Sequence, residues 1–355
     1  MNATFWKNRR VFITGQTGFK GAWLAAWLHS LGANISALAL PPSTDPNLFS
    51  LLQLNHKISH HIGDIRSVEF VQLVMQAFQP DIVFHLAAQS LVRQGYVDPH
   101  QTYSTNIMGT VNILEAARKC PSVKAVVNIT SDKCYENKES LSGYGETDLL
   151  GGFDPYSNSK ACAELIARAY HHSFFAAEKI GLATARAGNV IGGGDWSTDR
   201  LLTDILHAIE KKKPVVIRNP NAIRPWQHVL DCLSGYMLLA EKLYVSCELS
   251  GAWNFGPNDS AAISVMQLIE KIALIRDEKI IMDVCAEKVF SETQVLKLNS
   301  EKARTRLQWD PVLEIDDALR WTCDWHDARM QQKNMAEFTM RQIREYELLR
   351  QSVLV

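Results

Sequence analysis

The sequence lacks the features that mark exported or membrane-bound proteins. Its seven cysteines in 355 residues are odd in number, widely spaced and never arranged as Cys-x-x-Cys, so they predict a reduced, cytoplasmic protein. The longest early apolar run, Ala22 to Leu28, is too short to cross a bilayer, and residues 1–7 have no signal-peptide layout. We therefore expect soluble metabolites rather than a membrane as partners.

An excess of charge of one sign is also missing. Lys and Arg number 37 against 38 Asp and Glu, with no basic block, so we expect no nucleic-acid partner. The histidine pairs His60-His61 and His171-His172 have no carboxylate or cysteine at ligand spacing, so we expect no metal site. Any anionic ligand must therefore be bound by a few local donors.

The first forty residues contain a glycine-rich motif in a specific context. The β-branched apolar run Arg10 to Thr14 predicts a short buried strand, which leads directly into Gly15-x-x-Gly18-x-x-Gly21. A helix from Phe19 to Leu31 and a second strand over 34–40 follow. In this order of elements, backbone amides and a helix N-terminus bind a pyrophosphate. The motif therefore predicts dinucleotide binding.

The following strands refine that prediction. The second strand ends at Leu40 with neither an acidic residue for a ribose nor a Lys or Arg for a 2'-phosphate, so we favour NAD over NADP. Asp64, after the third strand, has two open interpretations: an acceptor for the adenine amino group, or the N-cap of a helix from Ser67 to Phe78. After the fourth strand, the small residues Ala87 and Ala88 would let the cofactor pass close to the backbone.

A tyrosine and a lysine begin the helix predicted after Pro155. Tyr156 and Lys160 project from the same helix face about one turn apart, which suits a phenolate base. A neighbouring ammonium and a cationic nicotinamide would have to lower the tyrosine pKa from about 10. Such pairs also occur on ordinary exposed helices. The functional interpretation depends on the glycine turn and on a polar cluster, Thr130 to Lys133, where the fifth strand ends.

The second half of the chain has two candidate ligand segments. Arg186 to Trp196 predicts a glycine-rich ligand loop. Ile223 to His228 predicts an irregular segment. In it, Arg224 and Trp226 suit a diphosphate and a base, and the alternative is a rim arginine stacked on a tryptophan without a role in binding. The candidate substrate-binding residues are Asn189, Arg200, Arg224 and Trp226.

Taken together, these motifs resemble the extended short-chain dehydrogenase/reductase family over nearly the whole chain. The matching residues are Gly15, Gly18, Gly21, Asp64, Ala87, Ala88, Asn106, Ser131, Tyr156 and Lys160. The resemblance implies an α/β fold with a doubly wound parallel (Rossmann) sheet and a smaller α/β C-terminal substrate domain. The candidate cofactor-binding residues are Gly15, Thr17, Gly18, Phe19, Gly21, Asp64, Ile65, Ala87, Ala88, Tyr156 and Lys160.

The same resemblance implies a domain layout and an assembly. Residues 1–185 would form the NAD-binding domain, with a return segment near 228–255. Residues 186–330 would form the sugar-nucleotide domain and residues 331–355 a C-terminal helix. A homodimer or homotetramer would be built on the helices Pro99 to Lys119 and Tyr156 to Ala177.

Within the family, the segments 129–135, 156–160, 186–196 and 223–228 are similar to those of members that dehydrate CDP-D-glucose for bacterial dideoxysugars. The similarity implies that Tyr156 is the base, assisted by Lys160 and Ser131, and that Asp132 is the acid of an elimination. Lys133 stands where relatives acting on the thymidine-linked sugar have a glutamate, so the base for C5 stays open.

Two other functions remain as alternatives. An NAD-dependent sugar-nucleotide epimerase needs only Ser131 and Tyr156, and the added pair of Asp132 and Lys133 favours elimination over it. A non-catalytic NAD-sensing protein is disfavoured by the intact pair of Tyr156 and Lys160.

Overall fold

The computed structural model describes residues 1–140, 142–284 and 295–353; Cys285, one of the seven cysteines, lies outside these ranges. The strands are β1 Arg10–Thr14, β2 Asn34–Ala39, β3 Ser59–Ile62, β4 Ile82–His85, β5 Ala125–Ile129, β6 Gly181–Arg186, β7 Asn189–Ile191, β8 Val215–Ile217, β9 Ile223–His228, β10 Gly251–Asn254, β11 Ala262–Ser264 and β12 Met282–Val284.

The helices are α1 Ala3–Trp6, α2 Phe19–Ser30, α3 Leu48–Leu51, α4 Val68–Phe78, α5 Val92–Val97, α6 Pro99–Tyr103, α7 Gly109–Arg118, α8 Pro155–Tyr170, α9 Leu201–Glu210, α10 Val229–Val245, α11 Val265–Arg276, α12 Ile315–Met330 and α13 Met335–Val353. Wider helical turns, Ser104–Met108 and His171–Phe175, follow α6 and α8. The helix predicted over 99–119 is therefore divided into three segments. Across the described ranges, no helix has the length and apolar character needed to span a membrane.

Seven strands form one sheet in the order β10-β6-β5-β4-β1-β2-β3, and every pair in it is parallel. The chain builds outward from β1 to β3 and then crosses to the other side of β1 to continue with β4. Ligands of open α/β sheets bind in the crevice where this reversal occurs, at the carboxyl ends of the strands. The predicted doubly wound sheet is confirmed, and the crevice lies at the ends of β1 and β4.

Burial on both faces explains the composition of the central elements. All five residues of β5 are buried, as a strand covered by helices on two sides requires. Helix α2 is buried on nearly every side because the C-terminal helix α13 covers its outer face. There Trp27 meets Tyr346 edge to face at 5.5 Å and donates to Glu347 at 2.9 Å.

The second half of the chain both leaves the large sheet and returns to it. Strands β7, β9 and β11 form a three-stranded sheet, and β8 pairs with β12. Helix α10 then packs on β5, β6 and α2, and β10 extends the large sheet beside β6. The domain boundaries given above stay a prediction.

Two predictions for this half were wrong. The segment Ile223–His228 is the strand β9 rather than irregular, because β7 and β11 pair with it on both sides despite Pro225. The segment from Arg186 to Trp196 is not one loop, since Arg186 ends β6 and residues 189–191 form β7.

Candidate active site

A cavity of about 460 Å³ lies at the carboxyl ends of β4 and β5 and reaches across to β7 and β9. Eleven of the candidate residues line it: Phe19, Ala88, Ser131, Asp132, Lys133, Tyr156, Lys160, Asn189, Arg200, Arg224 and Trp226. The structure therefore brings all the candidate catalytic and substrate-binding side chains to one cavity. The remaining cofactor candidates lie beside it, at the ends of β1, β3 and β4.

The end of β5 places a buried acid in the cavity. Ser131 caps a short helical turn, Asp132–Cys134, by accepting from the Lys133 amide, and its hydroxyl donates to Asp132 Oδ1 at 2.9 Å. Asp132 is 3 % exposed, and burial raises its pKa against the opposing effects of Lys133, the Ser131 hydrogen bond and Arg224. A carboxyl that keeps its proton to a higher pH than usual suits a general acid.

Gly188 provides the space for that carboxyl group. A Cβ atom on Gly188 would lie 3.1 Å from Asp132 Oδ2 and 3.1 Å from Pro225 Cγ. The glycine-rich segment after β6 thus contributes to the site through close packing as well as through its side chains.

Helix α8 positions the tyrosine and the lysine. Asp154 caps it by accepting from the Ser157 amide at 3.0 Å, and Pro155 is its first residue, one position earlier than predicted. Burial raises the pKa of Tyr156 to about 12, although Ser131 and Arg200 act in the opposite direction. The protein alone therefore moves this pKa away from the value that a base requires.

Lys160 is a further cation, besides Arg200, that would oppose that shift. It is 6 % exposed and its ammonium donates to the Ile129 carbonyl at 3.3 Å. Burial lowers its pKa to about 8, with a further decrease from Lys20 and an opposing increase from Glu164. Charged Lys160 would favour the Tyr156 phenolate by electrostatic attraction.

The glycine turn forms a cradle that side chains would fill. A Cβ on Gly21 would lie 2.0 Å from the Gly15 carbonyl oxygen, and one on Gly15, which has φ +84°, would lie 2.8 Å from the Ala87 amide nitrogen. Gly18 is the N-cap of α2 and has no side-chain capping bond. The nearest atom recorded for a Cβ built on Gly18 is the Gly15 carbonyl oxygen, at an ordinary contact distance of 3.5 Å. The helix N-terminus is therefore open to an anion, and the cradle fits a pyrophosphate.

The other cofactor candidates have defined contacts. The Thr17 hydroxyl donates to the Leu40 carbonyl at 2.9 Å, and the Ala87 amide donates to Thr14 Oγ1 at 3.1 Å. Phe19 packs against Gly192, and Ile65 is buried against Gly109.

Asp64 is not the N-cap of α4, so that interpretation was wrong. The N-cap is Ser67, and Asp64 instead pairs with Arg66 at 2.6 Å. The hydrogen bonds from Arg66 lower the pKa of the Asp64 carboxyl and hold it charged. Its contact with adenine stays a prediction.

On the substrate side, Asn189 and Trp226 are neighbours across β7 and β9. Trp226 is buried, and its indole nitrogen has no hydrogen-bond partner among the described residues. Arg224 donates to the Ile223 carbonyl at 2.9 Å, and Arg200 is the N-cap residue of α9.

The glycines at 192–194 serve packing. A Cβ on Gly193 would lie 2.0 Å from the Trp325 ring, and one on Gly194 would lie 2.6 Å from Leu48. Trp196 also packs on Trp325, at 5.8 Å. Gly192, Gly193 and Gly194 also line the cavity, so the expectation that this run binds a ligand stays a prediction.

Asn106, and His85 at the end of β4, have supporting positions. His85 is buried, its Nδ1 lies 2.7 Å from Thr14 Oγ1, and burial and Lys160 lower its pKa to about 3, so it stays neutral. Asn106 donates to Ser159 at 2.9 Å and bonds to both backbone groups of Gln89. It ties α8 to the segment after β4.

Sequence reasoning missed several charged groups. Lys20 lines the cavity, and burial lowers the pKa of its ammonium, with Asp132 among the groups that oppose this. The position of Lys20 between Gly18 and Gly21 was the sequence feature that could have identified it.

At the cavity mouth, Asp199 pairs with Arg93 at 3.2 Å and with Arg218 at 3.0 Å. These three residues, hereafter the mouth triad, are far apart in sequence and carried no motif.

A family model described as GDP-mannose 4,6 dehydratase matches residues 12–322. The chain belongs to this dehydratase family. A relative described as CDP-glucose 4,6-dehydratase, from Salmonella typhimurium, is 46 % identical over 352 residues, covering 98 % of each chain. A dTDP-glucose 4,6-dehydratase from the same organism is 25 % identical, covering 92 % of this chain and 94 % of the relative.

Solved structures of similar fold include other sugar-nucleotide enzymes. A UDP-glucose 4-epimerase from Stenotrophomonas maltophila, with bound NAD and formylated UDP-arabinopyranose, matches with a TM-score of 0.80 at 20 % identity, covering 91 % of this chain and 99 % of that one. A dTDP-glucose 4,6-dehydratase from Bacillus anthracis, in complex with NAD, matches with a TM-score of 0.76 at 21 % identity, covering 92 % and 99 %. These likenesses show that the chain shares its fold with these enzymes.

Among residues 1–140, 142–284 and 295–353, no cluster of three or more His, Cys, Asp and Glu side chains is suited to a metal. The six described cysteines are all free.

Proposed function

We propose that the protein is an NAD-dependent CDP-D-glucose 4,6-dehydratase, a lyase that forms CDP-4-keto-6-deoxy-D-glucose and water. The single observation that carries the proposal is a buried carboxyl group, Asp132, beside the Tyr156 and Lys160 pair in one cavity. The 46 % identity with a CDP-glucose 4,6-dehydratase supports the same substrate. Among the functions considered above, an epimerase has no use for such an acid, and a non-catalytic sensor has no use for the pair.

NAD fits the cradle described above. Gly15, Gly18 and Gly21 would receive the pyrophosphate at the start of α2, with Thr17, Phe19, Ile65, Ala87 and Ala88 along its path and Asp64 at the adenine. Lys160 would hold the nicotinamide ribose. When bound, NAD accepts a hydride from sugar C4 and returns it to C6, so no external reductant is consumed.

The first proton transfer belongs to Tyr156. Its phenolate would take the proton of the C4 hydroxyl, and Ser131 would orient that hydroxyl. Charged Lys160 would favour the phenolate, and Arg200 opposes the pKa increase that burial imposes on Tyr156. Loss of this proton together with the C4 hydride would leave a ketone at C4, and the ketone makes the hydrogen at C5 acidic.

The elimination belongs to Asp132 and a base. A base removes the C5 proton while Asp132 gives its proton to the C6 hydroxyl, so that the C6–O bond breaks and water leaves. The raised pKa of Asp132 supports this role. Lys133 lines the same cavity and is the candidate for the base at C5.

Recognition of the sugar nucleotide would use the far wall of the cavity. Arg224 would bind the diphosphate, with Asn189 and Arg200 beside it and Trp226 near the base. We further propose a cytoplasmic homodimer or homotetramer built on α6 to α8. Apolar side chains exposed on these helices support that assembly: Met108 is 50 % exposed and Leu165 is 45 % exposed.

The test is incubation with CDP-glucose and a catalytic amount of NAD, without reductant, followed by product analysis. We expect a 4-keto-6-deoxy sugar nucleotide, and a weaker response to dTDP-glucose and UDP-glucose. Stoichiometric consumption of NAD would instead identify a simple dehydrogenase. A sugar epimer that keeps its C6 hydroxyl would identify an epimerase.

A further inference from the structure

A buried ion pair lies directly behind the catalytic lysine. Glu164 follows Lys160 by one helical turn on α8, and its carboxylate pairs with Arg186, the last residue of β6, at 2.7 Å. Both side chains are 3 % exposed. Removing two charges from water costs free energy, so a buried ion pair is poor evidence that it stabilises the fold. The presence of this pair therefore needs another explanation.

The carboxylate of Glu164 joins the elements that carry the catalytic groups. It accepts from Thr130, which precedes Ser131 at the end of β5, at 2.5 Å, and from Thr184 on β6 at 2.6 Å. Arg186 continues the network by donating to the Tyr135 hydroxyl at 2.6 Å. Glu164 therefore links α8, which carries Tyr156 and Lys160, to the strand end that carries Ser131 and Asp132.

The same carboxylate also acts electrostatically on Lys160. The groups that face Lys160 from other elements are Lys20 on α2, His85 on β4 and Cys134 after β5. Lys20 is a cation, His85 is neutral, and burial raises the pKa of Cys134 far above its usual range, so the thiol is neutral too. Within the described residues, Glu164 is the carboxylate that opposes the effects of burial and of Lys20 on Lys160.

We infer that Glu164 is a positioning residue, which keeps Lys160 charged and fixes its helix against the strand end that carries Ser131 and Asp132. Arg186 holds the same carboxylate in place through the 2.7 Å ion pair. The inference rests on the proposed function for its catalytic consequence, but the charge state of Lys160 can be measured independently of turnover.

The test uses the full-length protein with Cε-labelled lysine, titrated by NMR with and without NAD. In Glu164→Gln the titration of Lys160 should move down by about one pH unit, because a nearby anion is lost and Arg186 is left unpaired. In Glu164→Gln/Arg186→Met the buried cation is removed as well. We therefore expect the Lys160 titration to move down by less than in the single variant, and the double variant to fold better than the single one. The double variant thus keeps the test possible if the single variant fails to fold.

Thr184→Val is the matched control, since it removes one neutral hydrogen bond to the same carboxylate without changing charge. Its Lys160 titration should stay at the wild-type position. In the Glu164 variants, the alkaline limb of the pH profile of kcat should move to lower pH together with the Lys160 titration, because activity is lost where the Lys160 ammonium deprotonates. An unmoved Lys160 titration in the double variant would reduce Glu164 to a structural residue and overturn the inference. Failure of the proposed function would appear differently, as a shifted titration without dehydratase turnover.

Discussion

The inner end of the cavity and its mouth are built in opposite ways. At the inner end, Ser131, Asp132, Tyr156 and Lys160 are each less than 10 % exposed, and burial is the largest cause of the pKa shifts of the last three. At the mouth, the side chains of the triad are about a third exposed, and opposite charges meet directly. At the inner end, burial sets the protonation of the side chains. At the mouth, exposure to water and ion pairing keep the side chains charged.

This difference determines how each region should respond to substitution. Buried donors and acceptors act in a medium of low polarity, where one group is worth several kcal/mol to a transition state. Exposed ion pairs contribute about 0–1 kcal/mol because water screens them. Substitutions at the inner end should therefore change kcat strongly, and those at the mouth should change KM modestly.

The largest effect is expected for Tyr156→Phe. The ring still fills its buried position, but the proton acceptor for the C4 hydroxyl is lost, so kcat should fall by about 10³-fold or more. Steady-state turnover of CDP-glucose measures the effect, and circular dichroism serves as the control for folding. If turnover stays within about tenfold of wild type, another group is the base at C4.

Asp132→Asn should have the next largest effect. Asparagine keeps the size and the acceptor for Ser131 but cannot release a proton, so elimination should slow by about 10²-fold while oxidation at C4 continues. Reduced nicotinamide should therefore accumulate in the variant, and stopped-flow absorbance measures that accumulation. Loss of both steps in parallel would assign Asp132 to binding or orientation instead.

Arg224→Ala tests the border between the two regions. Loss of a charged partner for the diphosphate costs about 2 kcal/mol, so KM for CDP-glucose should rise about 30-fold. Arg320→Ala removes an exposed cation on α12, paired with Asp317, and should leave KM unchanged. An unaltered KM in Arg224→Ala would contradict the diphosphate contact and support the alternative of a stacked rim arginine.

The comparison of regions also explains what the sequence could predict. The glycine turn and the Tyr156 and Lys160 pair follow local rules of strand, turn and helix, so their positions were predictable from spacing. Asp132 was predictable because ligands of such sheets meet strand ends. The direction of the Tyr156 pKa shift was not, since burial arises only when distant segments close around the phenol.

The missed residues depend on contacts between distant parts of the chain. Glu164 meets Arg186 only because α8 packs on β6, and Asp199 meets Arg93 only because the cavity walls face each other. Strand β9 was missed for the same reason, as its extended form depends on partners on both sides. The four-residue step from Lys160 to Glu164 and the place of Lys20 between Gly18 and Gly21 were the sequence signals that could have identified missed residues.

The smallest effect is expected at the mouth triad. Arg93 follows β4 and Arg218 follows β8, so Asp199 holds together cations from opposite walls of the cavity mouth. A diphosphate entering the cavity has the same sign as Asp199 and would compete with it for these guanidinium groups. Asp199→Asn should therefore lower KM for CDP-glucose about two- to fivefold, the scale of a surface ion pair.

Salt dependence sharpens this last test. Because the triad is partly exposed, the difference in KM between Asp199→Asn and wild type should shrink as ionic strength rises. Asp317→Asn breaks the exposed pair with Arg320 on α12 and provides the control, with no change in KM at any salt concentration. A higher KM in Asp199→Asn would mean that Asp199 orients the two arginines for the substrate instead of competing with it. The mouth would then be preorganised in the same way as the inner end, and the contrast between the two regions would be lost.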